Sequence, residues 1–318
     1  MTAKIKLLVT PGANCSASYQ TPYWQKYFDI LPFSVEHSQH GHAVLTDFTD
    51  TADYACYGMP VIVDHLWDSA VDQHSDVAGT TMTLRAPDWI WIHEQWLGLS
   101  QSYNLAARSA DQPSKFFLLP MNLRRAHRDQ LLALCQPWLE HSVWSYVEQG
   151  RCLPGDEFVP HPSHSGTAND RAYRSEWYAD TCFSLVSETA VDSDCMGFGL
   201  EPHRVFVSEK SFKPLAYGHP FVIQGCANTV KFLKSRGFAV PWNHSYDAIE
   251  NSQQRLNSIV MLLRELYGEF QRQGTVLRDA ETQAATHYNQ QRFWDTAQTQ
   301  ALFEQQVVKP ICDFVEAQ

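Results

Sequence analysis

The sequence predicts an α/β protein of two Rossmann-like domains, each built on a parallel sheet, and three observations carry that expectation. The stretch from Phe206 to Gly225 reads as strand end, helix and strand, with a second helix from Ala227 to Arg236 behind it. Ser208 is a good N-cap, Glu209 suits a first turn, Gly218 stops the helix, and Pro220 to Ile223 begins a short buried strand. Helices alternating with apolar strands in this way imply parallel pairing. Two further apolar runs of strand length, Lys115 to Asn122 and Cys182 to Thr189, end in polar residues. Finally, 318 residues suit two domains of ordinary size, each able to bury a core.

From the amino end, Lys4 to Val9 reads as a strand that stops at Pro11-Gly12, followed by a small polar loop from Ala13 to Ser18. Tyr23 to Phe28 has the look of a short helix and Phe33 to Glu36 of a strand. His37, His40 and His42 crowd the next loop, but neither carboxylate nor Cys joins them in a ligand pattern, so no metal is expected there. Met59 to Asp64 is a buried-strand pattern that ends in charge and continues as His65-Leu-Trp-Asp68. In Trp89-Ile-Trp-Ile-His-Glu94, alternation likewise gives way to His93-Glu94. These two strand ends supply the candidate general bases Asp64, His65, Asp68 and Glu94, of which Glu94 and Asp68 rank first. The same residue types also serve simply to end strands or cap helices. Ser102 to Ser114 is polar and broken by Pro113, which sets the domain boundary between residues 112 and 113.

The second domain opens with the Lys115 to Asn122 strand, which hands over through Leu123-Arg-Arg-Ala-His-Arg128 to a helix with Leu131, Leu132, Leu134 and Leu139 on its apolar face. Arg124, Arg125 and Arg128 stand where a helix start also offers N–H donors, so together they form an anion cradle. Val143 to Val147 is another short strand. Gly150 to Arg171 is rich in Pro, Gly, Ser and His without apolar period, a long loop suited to a lid. Glu188, ending the Cys182 to Thr189 strand, projects to the same sheet edge as Glu209. Ser252 to Gln271 has helical period, and a looser helical pattern runs from Glu281 to Val315.

The string Val207-Ser-Glu-Lys-Ser-Phe-Lys-Pro-Leu-Ala-Tyr-Gly-His-Pro-Phe-Val-Ile223 resembles the donor-binding segment of GT-B glycosyltransferases, nearest to the α-1,3-fucosyltransferase type. Cys182 to Thr189 resembles the strand that precedes it there, and the likeness covers roughly residues 115–250. The resemblance implies a GT-B fold of two domains whose sheets face a cleft, residues 1–112 on the acceptor side and 113–289 binding a nucleotide-sugar donor. It implies a C-terminal helix, 290–318, packing back on the first domain. Ser208, Glu209, Lys210 and Lys213 would contact the donor, with Glu188 and the arginine cradle beside them. Asn14 and Ser16, in the first strand-to-helix loop, would face the acceptor. The implied activity is metal-independent transfer of a sugar to a hydroxyl of a carbohydrate acceptor, in surface-glycan or polysaccharide synthesis, with no cofactor. Tyr217-Gly-His-Pro departs from the family's Ala-Gly-Val-x-Pro, which leaves the donor sugar and its nucleotide undefined.

Composition narrows the classes. A net charge of −11 disfavours nucleic acid as the main partner. Eight cysteines without a Cys-x-x-Cys pair argue against zinc ribbons and thioredoxin chemistry, and several lie in apolar runs, as thiols of a reducing cytoplasm do. No apolar run approaches a membrane span. A dinucleotide-binding Rossmann enzyme would carry Gly-x-Gly-x-x-Gly after the first strand, and Thr10-Pro-Gly-Ala-Asn-Cys lacks it. A nucleotide-sugar-modifying enzyme of related fold and a non-catalytic nucleotide- or glycan-binding protein stand as alternatives.

Overall fold

The computed structural model of the chain describes residues 7–9, 43–46, 61–64, 81–84, 88, 91–92, 94–95, 113–155, 158–160, 165–167, 175–192, 205–240, 242–276 and 279–317. The chain divides into two compact units, Met1–Ile92 with Thr296–Gln318, and His93–Asp295. The boundary read from Pro113 adjoins residues outside those described. So do the expected helix at Tyr23 to Phe28, the strand at Phe33 to Glu36 and the histidine loop at His37 to His42.

In the first unit, β1 (Leu7–Val9), β2 (Ala43–Thr46), β3 (Val61–Asp64) and β4 (Thr81–Leu84) form one sheet in that order, every pair parallel. Trp91, Ile92, Glu94 and Gln95 are helical, which corrects the strand expected over Trp89 to Glu94. The Ile92 amide donates to the Asp88 carbonyl at 3.0 Å, an i to i−4 bond. Trp-Ile-Trp-Ile is apolar at every position, so its alternation carried no information, and a short run of that kind fits a buried helix equally well. Glu94 therefore sits on a helical turn with 4% of its surface exposed.

The second unit holds the larger core. Its sheet runs β10-β9-β5-β6, all parallel, with β5 Lys115–Met121, β6 Val143–Tyr146, β9 Thr181–Ser187 and β10 Phe221–Gln224. Strand β9 is buried along its whole length, as expected of a strand covered on both faces. Between β6 and β9, β7 (Phe158–Pro160) and β8 (Ser165–Thr167) pair antiparallel, so the stretch read as an unstructured loop contains a hairpin. Pro and polar residues at such short strands hide their period.

Helix α1 (Ala126–Cys135) follows β5 and leads to β6, while α2 (Ser175–Asp180) precedes β9. Helix α3 (Glu209–Ala216) follows β9 and leads to β10, and α4 (Thr229–Ser235) comes next. The long α5 (Ser252–Gln273) packs on β10 and α1. Its Leu256, Ile259, Val260, Leu263 and Leu266 join Phe117, Leu119, Phe183 and Leu185 in one core cluster. Truncating any of these leucines to alanine costs about 2–5 kcal/mol at a site of this burial. Helices α6 (Ala280–Phe293), α7 (Thr296–Phe303) and α8 (Lys309–Glu316) complete the chain, with a π-helical turn at Glu304–Val308 between the last two. Within the first unit α8 packs on β4, and the Gln306 side chain donates to the Asp88 carboxylate at 2.7 Å. Among the described residues no helix is long and apolar enough to cross a membrane.

Candidate ligand site at the carboxyl edge of the second sheet

The chain leaves β5 for β6 on one side and β9 for β10 on the other, while β5 and β9 lie side by side. The carboxyl ends of β5 and β9 thus flank a topological switch point, the place where open parallel sheets leave a crevice for ligands. The start of α1 borders it because that helix follows closely on β5, and the start of α3 borders it because Ser208 donates to Glu188, the residue after β9.

Glu188, the residue after β9, ties the two helix starts together. It is fully buried. Its carboxyl Oε1 accepts from the Ser208 amide at 3.1 Å and from the Ser211 hydroxyl, and Oε2 accepts from the Ser208 hydroxyl at 2.5 Å and the Thr189 amide at 3.2 Å. These bonds fill the acceptor positions a carboxylate has. On its other side the Glu188 carbonyl accepts from His127 Nε2 at 3.0 Å and from Arg128 at 3.4 Å. Sequence reading gave Glu188 a place at the donor, and the structure shows it occupied in holding α3.

That hold places the first turn of α3. Ser208 has an extended backbone, and its hydroxyl accepts from the Lys210 amide at 3.4 Å, a side-chain cap. The Lys210 ammonium donates to Glu209 at 2.7 Å, to Ser208 Oγ at 3.2 Å and to Thr189 Oγ1 at 3.4 Å. Side-chain exposure is 21% for Lys210 and 33% for Glu209, so the pair is reachable from solvent. Burial alone would push the Glu209 carboxyl up, but Lys210 and Lys213 outweigh it and hold the pKa down at about 2. Burial likewise opposes the Lys210 charge, and Glu209 with Glu188 overcomes it, raising the ammonium above its ordinary value. Lys213, Glu209 and Lys210 also line a cavity of about 70 Å³ under α3, floored by Leu118, Pro120 and Val186.

The three arginines of the α1 start have separate duties. Arg124 is exposed and pairs with Asp129 at 2.9 Å. Arg128 is 2% exposed and turns inward, donating to the carbonyls of Leu123, Ser187 and Glu188. Arg125 is the N-cap residue of α1 and forms no side-chain cap bond. Its buried Nε has no hydrogen-bond partner, and no other bond of its guanidinium occurs among the described residues. His127 is buried, and burial, with Arg128 and Arg125 beside it, lowers its pKa to about 4 despite the bond to Glu188.

A second cavity, of about 490 Å³, opens beside the α1 start between β10 and the first turn of α5, lined by Arg125, His127, Asp192, Gln224 and Arg255 among others. Sequence reading missed Arg255 and Asp247. Arg255 is 2% exposed and donates to the carbonyls of Gly225, Ile249, Glu250 and Val191. Asp247 caps α4 by accepting from the Val230 and Lys231 amides at 2.8 and 2.9 Å. An Arg in an otherwise amphipathic helix and an Asp before one look like surface residues, and only their distant partners show otherwise.

Of the candidate bases, Asp64 ends β3 and Glu94 is buried next to Gln95, whose amide donates to the Phe293 carbonyl at 2.8 Å. His65, Asp68, Asn14 and Ser16 lie outside the described residues. Among the described residues no three His, Cys, Asp or Glu side chains gather as metal ligands would.

No family model matches the chain, and no curated protein matches it. Among solved structures the chain is similar to one described as "Crystal Structure of alpha1,3-Fucosyltransferase", with a TM-score of 0.47 and 10% identity over 91% of this chain and 89% of that one.

Proposed function

We propose that this protein is a GT-B glycosyltransferase that moves a sugar from a nucleotide-sugar donor to a hydroxyl of a carbohydrate acceptor, in surface-glycan or polysaccharide synthesis. The observation that carries this reading is the first turn of α3. A lysine there is disfavoured by the helix dipole by about 0.3–1 kcal/mol, yet Lys210 is held there by the Glu209 carboxylate and by the Ser208 and Thr189 hydroxyls at the switch point. An anion bound at that turn adds a second reason for the placement. A diphosphate at that turn meets the ammonium and the helix N–H groups together, and the same charges stabilise the leaving phosphate as the glycosidic bond breaks. Glu209 then accepts from ribose hydroxyls.

Arg125 is the arginine of the cradle assigned to the diphosphate, because Arg124 and Arg128 are engaged elsewhere. Glu188 and Ser208 position the turn, and Lys213 flanks it. In this reading residues 1–112 carry the acceptor side through Asn14 and Ser16, residues 113–289 bind the donor, and 290–318 return to the first domain. Neither metal nor cofactor takes part, and the work is cytoplasmic. The acceptor's proton goes to one of Glu94, Asp68, His65 or Asp64 if the reaction inverts. The resemblance of the Val207 to Ile223 segment points to the same role for Glu209 and Lys210.

The test measures affinity for a panel of nucleoside diphosphates and nucleotide sugars, GDP-fucose included, in wild type, Glu209→Gln and Lys210→Ala, alongside thermal stability. The expected result is a specific ligand whose affinity falls at least tenfold in Lys210→Ala with little change in melting temperature. Equal affinity in both variants, or a loss accounted for by unfolding, removes the assignment.

A further inference from the structure

We infer that Glu209 is the specificity-determining residue of the α3 site: its carboxylate withholds the Lys210 ammonium from bare phosphates and yields it to nucleotides, so the site takes nucleoside diphosphates and excludes inorganic phosphate and pyrophosphate. This rests on the donor-site reading above and deepens it.

The two carboxylates of the site are furnished differently. Glu188 is fully buried, and Ser208, Ser211 and Thr189 fill its acceptor positions. Glu209 is partly exposed. A carboxylate has about four acceptor positions, and among the described residues those of Glu209 are engaged by the Lys210 ammonium at 2.7 Å and by its own amide. Glu209 therefore keeps room for incoming hydroxyl donors where Glu188 has none. It is also ionised at neutral pH, because, against burial, Lys210 and Lys213 hold its pKa down at about 2.

Lys210 is the converse case. An ammonium carries three donors, and Lys210 directs them to Glu209, to Ser208 Oγ at 3.2 Å and to Thr189 Oγ1 at 3.4 Å. A phosphate oxygen thus reaches Lys210 by displacing a partner. Glu209 is the nearest of the three and the only one charged, so an arriving phosphate puts two anions against one ammonium. That repulsion acts on every phosphate. A nucleotide relieves it, since its ribose hydroxyls donate to the Glu209 oxygens as Lys210 leaves them. Phosphate and pyrophosphate bring nothing in exchange. A repulsive element that only the right ligand neutralises is a general route to specificity.

The experiment titrates wild type and Glu209→Gln calorimetrically with GDP, UDP and inorganic pyrophosphate, with melting temperature recorded for each protein. Wild type should bind the better nucleotide at least about 100-fold tighter than pyrophosphate, and Glu209→Gln should narrow that ratio at least about tenfold, with pyrophosphate itself bound about threefold tighter or more. Pyrophosphate affinity that is unchanged or lowered in a folded Glu209→Gln overturns the inference, even where nucleotide binding falls. The 2′,3′-dideoxy form of the same nucleotide tests the exchange on wild type alone, whatever the variant does to folding. It should bind at least about tenfold more weakly than the ribonucleotide, and equal affinity overturns the inference. So does a wild type that binds pyrophosphate as tightly as the nucleotide. Each of these results leaves the donor site standing where Lys210→Ala loses the nucleotide. If neither GDP nor UDP binds wild type, or Lys210→Ala keeps wild-type affinity, both readings fall.

Discussion

The two helix starts at the switch point are built in opposite ways. The α3 start is furnished from within: Ser208 caps it, and Glu188 fixes both the cap and Ser211. The α1 start has no side-chain cap, and the residue at that position, Arg125, extends a guanidinium that no group among the described residues engages. Helix ends leave backbone N–H groups that something must satisfy. One end is therefore capped by its own side chains, and the other is not.

The largest effect should come from that glutamate. Glu188→Ala strands two buried hydroxyls and two amides, and a loss of about 3 kcal/mol in chemical denaturation is expected. Glu188→Gln keeps the shape and should lose less. A Glu188→Ala protein of wild-type stability would dissolve the contrast, since α3 would then hold itself. Next, Arg125→Ala should weaken nucleoside diphosphate binding by about 10- to 100-fold, roughly 1.4–2.8 kcal/mol, the worth of a charged hydrogen bond, with stability within about 0.5 kcal/mol of wild type. Arg128→Ala should do the reverse and act mainly on folding. If both variants lose affinity and stability alike, the arginines are one unit and the division of duties fails.

Smaller still is a conversion of one start into the other. The extended backbone of Arg125 suits an N-cap, so Arg125→Ser should stabilise the protein by about 0.5–1 kcal/mol while weakening the ligand. No gain in melting temperature would mean that the α1 start is already satisfied. The mildest effect is that of pH. His127 is depressed to about 4 by burial, against about 6.5 in an unfolded chain. The unfolded state therefore takes up the proton first, so this stabilisation is full above about 6.5 and is lost as pH falls towards 4. His127→Gln should flatten the stability curve in that window. An unchanged slope there would assign it to other groups.

These outcomes also bear on what the chain discloses before it folds. The α3 segment was legible because its signals are local: cap, acidic first turn, glycine stop and apolar strand follow within twenty residues, and the helix and strand stand where those signals put them. The parallel sheet followed from the same logic. The strand expected at Trp89 failed because an unbroken apolar run has no period to read. Glu188 and Arg128 were visible as charges near the sheet edge, but their duties depend on partners roughly 20 and 60 residues away in sequence. Arg255 and Asp247 gave no sequence signal at all. Local chemistry locates a polar residue at an edge, and only tertiary packing decides whether it faces a ligand or the main chain.

Helix α3 is also secured at its far end, where the Trp294 indole donates to the Ala216 carbonyl at 2.8 Å. Gly218, at a φ of +60°, lies so near α6 that a Cβ would come within 3.0 Å of the Thr286 carbonyl. A helix pinned at both ends has little freedom to surrender when an anion reaches Lys210. Association at that turn should then proceed in one kinetic phase, with a rate set by diffusion and charge and lowered by added salt, rather than by a slow rearrangement of the helix.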